Sequence, residues 1–119
     1  MMTPDTRKTW LETYHRLTEE AEYQRNSQMV AFGLLDAYDQ LTPAEKKDVH
    51  QILAEWFVSD DNKHRYDAAF LTGERKIVEM IPAVEKAIEW IGEPSGPEAE
   101  YELKDLKTLL SELKGCHKT

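Results

Sequence analysis

The 119-residue sequence is short of cysteine, glycine and long apolar runs. Its single cysteine, Cys116, cannot form an internal disulfide. No stretch approaches the roughly 18 consecutive apolar residues of a membrane span. The opening residues, MMTPDTRKTW, lack the apolar core of a signal peptide. The five glycines are scattered and form no phosphate-binding loop. We therefore expect a soluble cytoplasmic protein with no membrane partner.

Basic residues are in the minority. The chain has 15 Lys and Arg against 23 Asp and Glu, which gives a formal net charge of −8. A surface this acidic repels phosphate backbones, so we expect no direct binding to nucleic acid. It favours encounter with a basic partner, although the same charge also simply keeps a protein soluble.

No segment alternates apolar and polar residues with period two over a useful length, so no strand is predicted. Helical spacing of apolar residues is widespread instead. The predicted helices cover about residues 4–23, 27–38, 43–57, 62–72, 77–91 and 97–114. The fold class is therefore all-α, with about six helices.

Local signals mark several helix ends. Thr42 and Glu45 form a predicted capping box at the third helix, with Pro43 at its first position. The Ser-Asp-Asp stretch at 59–61 ends that helix and caps the fourth. Gly73 is a predicted left-handed terminator of the fourth. The predicted buried stripe of the third helix consists of Val49, Ile52, Leu53, Trp56 and Phe57, and that of the last contains Ala99, Leu103, Leu106, Leu110 and Leu113.

Two similar segments lie 39 residues apart, TPAEKKDVHQI at 42–52 and IPAVEKAIEWI at 81–91. This offset falls in the range of helical solenoid repeats, in which stacked helix pairs share one core. The sequence thus predicts one domain over 1–119. It contains helix pairs at about 25–58 and 61–91, flanked by capping helices at about 4–23 and 97–114.

The second pair contains Asp60 or Asp61 at a turn, then Arg65, the small residues Ala68 and Ala69, and Pro82. The first pair carries Glu22, Arg25, Ala31 and Pro43 in the same order. Over residues 22–91 the chain resembles the HEAT-repeat family.

This resemblance implies two HEAT-like helical hairpins, with the turn aspartates and Arg65 bracing neighbouring repeats. Some HEAT-like proteins act on DNA bases, and others attach bilin chromophores. The acidic surface excludes the first kind, and the second kind is usually longer.

The histidines give little sign of chemistry. No pair has the i, i+4 helical spacing typical of zinc sites, and no HExxH occurs. One interpretation brings His50 and His64 together with Asp60 and Asp61 at a metal, but surface scatter is the favoured interpretation. Cys116 and His117 adjoin without the oriented base that a nucleophile needs. We therefore predict no enzyme and no catalytic, cofactor-binding or metal-binding residue.

Trp90 stands apart from the other tryptophans, which lie on apolar stripes. In the repeat overlay it falls opposite Gln51, a polar position. The row through Gln51 is expected to face outward on the second-helix side, which is the concave binding side of HEAT-like arrays. The alternative places Trp90 under the last helix, against Leu103 or Leu106. The candidate protein-binding residues are Asp48, Gln51, Glu55, Glu89 and Trp90.

The function favoured by these features is non-catalytic protein binding. A small acidic helical protein of this kind resembles bacterial immunity and antitoxin proteins. That resemblance implies binding and blocking of a basic toxin, such as a nuclease. Two alternatives stay open: a self-associating scaffold or adaptor in which Trp90 closes a homodimer, and a cofactor-handling HEAT-like enzyme.

Overall fold

The structure is a computed structural model that describes residues 4–24 and 28–117. The described residues form six α-helices and no strand, which confirms the predicted all-α fold. The helices are α1 (Pro4–Gln24), α2 (Gln28–Asp39), α3 (Pro43–Phe57), α4 (Asn62–Arg75), α5 (Ile81–Ile91) and α6 (Pro97–His117), with a 3₁₀ turn at Val78–Met80. Within this described part, no helix combines the length and the apolar character that crossing a bilayer requires.

The chain divides into two compact units, Met1–Ile52 and Leu53–Thr119. The boundary falls inside α3. The prediction of one domain over 1–119 stays a prediction.

In the first unit, α1 packs closely against α2. Their buried residues recur at helical spacing, so each helix turns one apolar face inward. These residues are Trp10, Leu17, Ala21, Val30, Ala31, Leu34, Leu35 and Tyr38. Gly33 lies where the two helices meet: a Cβ added there would lie 2.5 Å from Cδ2 of Leu17. The missing side chain therefore sets how closely α1 and α2 approach.

The start of α3 has the predicted capping box. The backbone N–H of Thr42 donates to Oε1 of Glu45 at 2.9 Å, and the N–H of Glu45 donates to Oγ1 of Thr42 at 3.2 Å. This reciprocal pair satisfies backbone donors that the helix itself leaves unpaired. The predicted stripe of α3 is buried throughout: Val49, Ile52, Leu53, Trp56 and Phe57.

In the second unit, α6 packs closely against α5, α4 and the 3₁₀ turn. Three leucines of α6, Leu106, Leu109 and Leu113, are buried in this packing. The sequence predicts hairpins that pair α2 with α3 and α4 with α5, with α1 and α6 as end caps, and this arrangement stays a prediction. Within the units, the structure shows α1 packed against α2 and α6 packed against α5.

The end of α4 differs from the prediction. The helix runs past Gly73 to Arg75, and Lys76 takes the left-handed conformation with φ 50° and ψ 53°. The N–H of Lys76 donates to the carbonyl of Thr72, which closes the helix end. Gly73 instead lies against α6, where a Cβ would be 3.4 Å from Cδ1 of Leu109. Gly73 is therefore a residue within α4 and not its terminator.

Candidate functional site

Trp90 projects from the last turn of α5 and is 47% exposed. The other two tryptophans belong to the core: Trp10 is 2% exposed and Trp56 is 5% exposed. An indole this accessible is unusual, since tryptophan is mostly buried in folded proteins. The sequence left two alternatives open for Trp90, exposure to solvent and packing under the last helix. The structure shows an exposed ring.

Arg65 braces Trp90 from the first turn of α4. Its guanidinium carbon lies 5.4 Å from the centroid of the Trp90 ring, within cation–π distance. Nε and Nη2 donate to the two carboxylate oxygens of Glu102 at 2.6 and 3.4 Å, and Nη1 donates to the carbonyl of Ser59 at 2.7 Å. Because these contacts fix an arginine side chain that is only 15% exposed, the ring beside it rests on a rigid support.

The turn between α3 and α4 positions Arg65. Oδ1 of Asp61 accepts from the N–H of Lys63 at 2.8 Å, so Asp61 is the N-cap of α4, as the sequence predicts. Ser59 Oγ accepts from the N–H of Asp61 at 3.1 Å. The His64 ring stacks on the buried Trp56, with 5.0 Å between centroids and 7° between planes. Side chains thus hold this turn at both ends.

An open cleft of about 340 Å³ adjoins Trp90. Its walls are Val58, Lys86, Glu89 and Trp90. Glu89 is exposed and directly precedes Trp90 on α5. The structure therefore brings two of the five predicted contact residues, Glu89 and Trp90, into one site.

The three predicted contact residues on α3 have different surroundings. Glu55 is exposed, and its carbonyl accepts from the N–H of Val58, a residue of the cleft wall, at 3.3 Å. Gln51 is exposed and belongs to the first unit. Asp48 is only 7% exposed, so the prediction that it faces outward is wrong. It precedes Ile52 by four residues and therefore shares the buried face of α3.

Glu102 is the residue that sequence reasoning missed. Its place among several acidic residues in the sequence indicates only a solvated carboxylate, yet it holds Arg65 through two oxygens. The HEAT resemblance implies that Arg65 braces neighbouring repeats, which stays a prediction, and it does not supply this partner. The two residues are 37 positions apart, and no local pattern signals a pair at that distance.

The end of the second unit around Trp90 is acidic. Arg65 contacts Ser59, Trp90 and Glu102, so the segments 59–66 and 89–102 meet at this end. Together these segments carry two basic residues, Lys63 and Arg65, against seven acidic ones: Asp60, Asp61, Glu89, Glu93, Glu98, Glu100 and Glu102. A basic surface is attracted to such a region.

The histidines named as metal candidates make structural contacts. Nε2 of His50 lies 2.7 Å from the hydroxyl of Tyr38, and the two rings stack. Nδ1 of His64 lies 3.2 Å from Ser59 Oγ. In residues 4–24 and 28–117, no three His, Cys, Asp or Glu side chains are grouped as a metal site.

No protein-family model matches this chain, and the comparisons with curated proteins and with solved structures give no match either. The HEAT-like resemblance and the likeness to immunity proteins therefore stay predictions.

Proposed function

We propose that this protein is a non-catalytic binding module that holds a basic protein partner through the surface around Trp90. The observation that carries the proposal is the exposed indole of Trp90, fixed from one side by Arg65. Tryptophan is enriched among the residues that dominate binding energy at protein interfaces. A ring that is already held in place loses little conformational freedom on binding, which favours affinity.

The charge around Trp90 supports the choice of a basic partner. Complementary charge speeds encounter and makes the association rate sensitive to salt. Proteins that act on nucleic acids carry basic surfaces around their substrate sites. Within the binding class we therefore propose a cytoplasmic immunity or antitoxin protein that covers such a surface on a toxin, for instance a nuclease. Nucleic acid itself is not a proposed partner.

Affinity capture from the lysate of the producing cells tests the binding class. Wild-type protein and Trp90→Leu are compared at low and moderate salt, with Phe32→Leu as the control at another exposed aromatic residue. We expect a stoichiometric basic partner that moderate salt weakens, that Trp90→Leu loses and that Phe32→Leu retains. A partner captured equally by all three proteins would show that the face around Trp90 is the wrong one.

Charge reversal tests the electrostatic part of the proposal. Glu89→Lys and Glu12→Lys change the net charge equally, but only Glu89 lines the cleft beside Trp90. We expect Glu89→Lys to slow association with the partner and to reduce its salt dependence, while Glu12→Lys has a much smaller effect. Equal effects would indicate that net charge alone matters.

The exposed Trp90 also suits a second candidate function, self-association through a symmetric contact. Sizing of the purified protein at two concentrations separates the two functions. A size that increases with concentration in wild type but not in Trp90→Leu would favour the homodimer. A constant monomeric size favours a distinct partner.

A further inference from the structure

The cleft beside Trp90 is open to solvent and has room for a long side chain of a partner. Its volume of about 340 Å³ is near the lower end of the range for small-ligand pockets, about 300–1,000 Å³. Val58 supplies an aliphatic wall, Trp90 an aromatic wall and Glu89 a carboxylate. Lys86 lines the cleft as well, and within the described residues Glu89 forms no ion pair.

Arg65 shows how a guanidinium group uses this indole. It lies over the Trp90 ring while its own charge is satisfied by the carboxylate of Glu102. Arg65 is not part of the cleft wall, whereas Glu89 and Trp90 both are. The cleft therefore contains the same two kinds of group, a carboxylate and an indole, that Arg65 contacts in Glu102 and Trp90.

We propose that the cleft receives an arginine side chain of the basic partner; this rests on the protein-binding function proposed above. The partner's guanidinium group stacks on the exposed part of Trp90 and donates paired hydrogen bonds to Glu89. Its aliphatic stem packs along Val58. The cleft thus selects arginine over other side chains. The acidic residues around it attract a basic segment of the partner.

Other side chains fit this cleft less well. An apolar side chain would take the carboxylate of Glu89 out of water without a partner, which is costly. An acidic side chain would enter a region of the same charge. Lysine brings a charge but lacks the planar group that stacks on the ring and pairs with both carboxylate oxygens. Lys86 also lines the cleft, and its charge opposes any incoming cation.

Tryptophan fluorescence gives a direct readout of occupancy. Trp10 and Trp56 are buried, so quenching by acrylamide reports mainly on Trp90.

The probes are three short synthetic peptides of one sequence, which carry arginine, lysine or citrulline at the same positions. Citrulline keeps the shape of arginine and removes its charge. Calorimetric titration gives the affinities, including those of variants.

We expect the arginine peptide to protect Trp90 from acrylamide and to bind about two- to five-fold more tightly than the lysine peptide. The citrulline peptide should give no protection. Glu89→Gln should weaken binding of the arginine peptide, and Lys86→Gln should strengthen it by removing the like charge. Glu12→Gln, an exposed change in α1, should leave the affinity unchanged.

Equal affinities of the three peptides, or an unchanged affinity in Glu89→Gln, would overturn the arginine proposal. If capture of a partner protein were then still lost in Trp90→Leu, the binding function would stand. Only the choice of arginine as the partner's anchor residue would be wrong. The opposite pair of results is also informative. If the arginine peptide binds as expected but no partner protein is captured through Trp90, the cleft chemistry is supported and the proposed binding function is not.

Discussion

Arg65 and Glu102, 37 residues apart, form a two-point ion pair with N–O distances of 2.6 and 3.4 Å. The pair joins the first turn of α4 to the second turn of α6, and the same arginine lies over Trp90. An interaction between side chains thus supports the proposed binding residue. The pair is therefore the first place to test how structure supports function.

Arg65→Met should lower the free energy of unfolding and loosen Trp90. The substitution leaves the Glu102 carboxylate, 30% exposed, without its partner, and removes the bond to the Ser59 carbonyl. We expect a loss of about 1–3 kcal/mol in denaturant titration, together with stronger acrylamide quenching of Trp90.

Lys114→Met is the matched control for this ion pair. Lys114 pairs with Glu85 at 3.6 Å, and both side chains are about half exposed. Exposed pairs contribute only about 0–1 kcal/mol, so stability should hardly change. Equal losses in Arg65→Met and Lys114→Met would contradict the special role of Arg65.

Gly33→Ala should destabilise the first unit although alanine favours helix. The new Cβ would lie 2.5 Å from Cδ2 of Leu17. Overpacking of this kind costs about 1–3 kcal/mol, whereas the higher helix propensity of alanine contributes only about 1 kcal/mol. Gly73→Ala is the control, since its Cβ would have an ordinary contact with Leu109. Adding Leu17→Val should recover part of the loss in a double-mutant cycle. An unchanged or increased stability in Gly33→Ala would show that the Leu17 side chain moves aside and that the missing Cβ does not set the approach of α1 and α2.

Lys76→Gly should stabilise the second unit. Lys76 has a φ of 50°, a left-handed conformation that costs an L-residue about 1–2 kcal/mol and that glycine adopts freely. We expect a gain of about 0.5–1 kcal/mol in unfolding free energy. A loss of stability would mean that the side chain of Lys76 has a role beyond ending α4.

Sequence patterns predicted the helices of this protein and their start signals well. The capping box at Thr42 and the N-cap at Asp61 are local, so a short stretch of sequence contains all of their physical cause. The predictions for Gly73 and Asp48 were wrong for different reasons. The packing of Gly73 near Leu109 of α6 depends on a distant residue and is not visible in a local pattern. The burial of Asp48 agrees with its spacing of four residues from Ile52, but the repeat overlay placed Asp48 on an outward row.

The candidate site shows the same difference between local and distant causes. The polar counterpart of Trp90 in the repeat overlay left exposure and burial under the last helix as open alternatives, and the structure shows the ring 47% exposed. The support that Arg65 and Glu102 give it depends on two distant segments meeting, which charge and spacing alone do not reveal.

Thr72→Val should keep or raise the stability of the second unit. Thr72 is fully buried, and its hydroxyl has no hydrogen-bond partner in the described part of the chain. Replacing an unsatisfied hydroxyl by a methyl group removes a desolvation cost, for an expected gain of up to about 1 kcal/mol. Thr72→Ser keeps the hydroxyl and loses the methyl, so it should cost about 1 kcal/mol. A marked loss in Thr72→Val would show that the hydroxyl is satisfied in solution.

The dissociation constant of the captured partner for Trp90→Leu, relative to wild type and to Phe32→Leu, tests the central claim most directly. A residue that anchors an interface contributes about 2 kcal/mol or more, which corresponds to a roughly 30-fold weaker complex. We expect at least that loss for Trp90→Leu and less than a two-fold change for Phe32→Leu. A dissociation constant for Trp90→Leu within two-fold of wild type would contradict binding through this face.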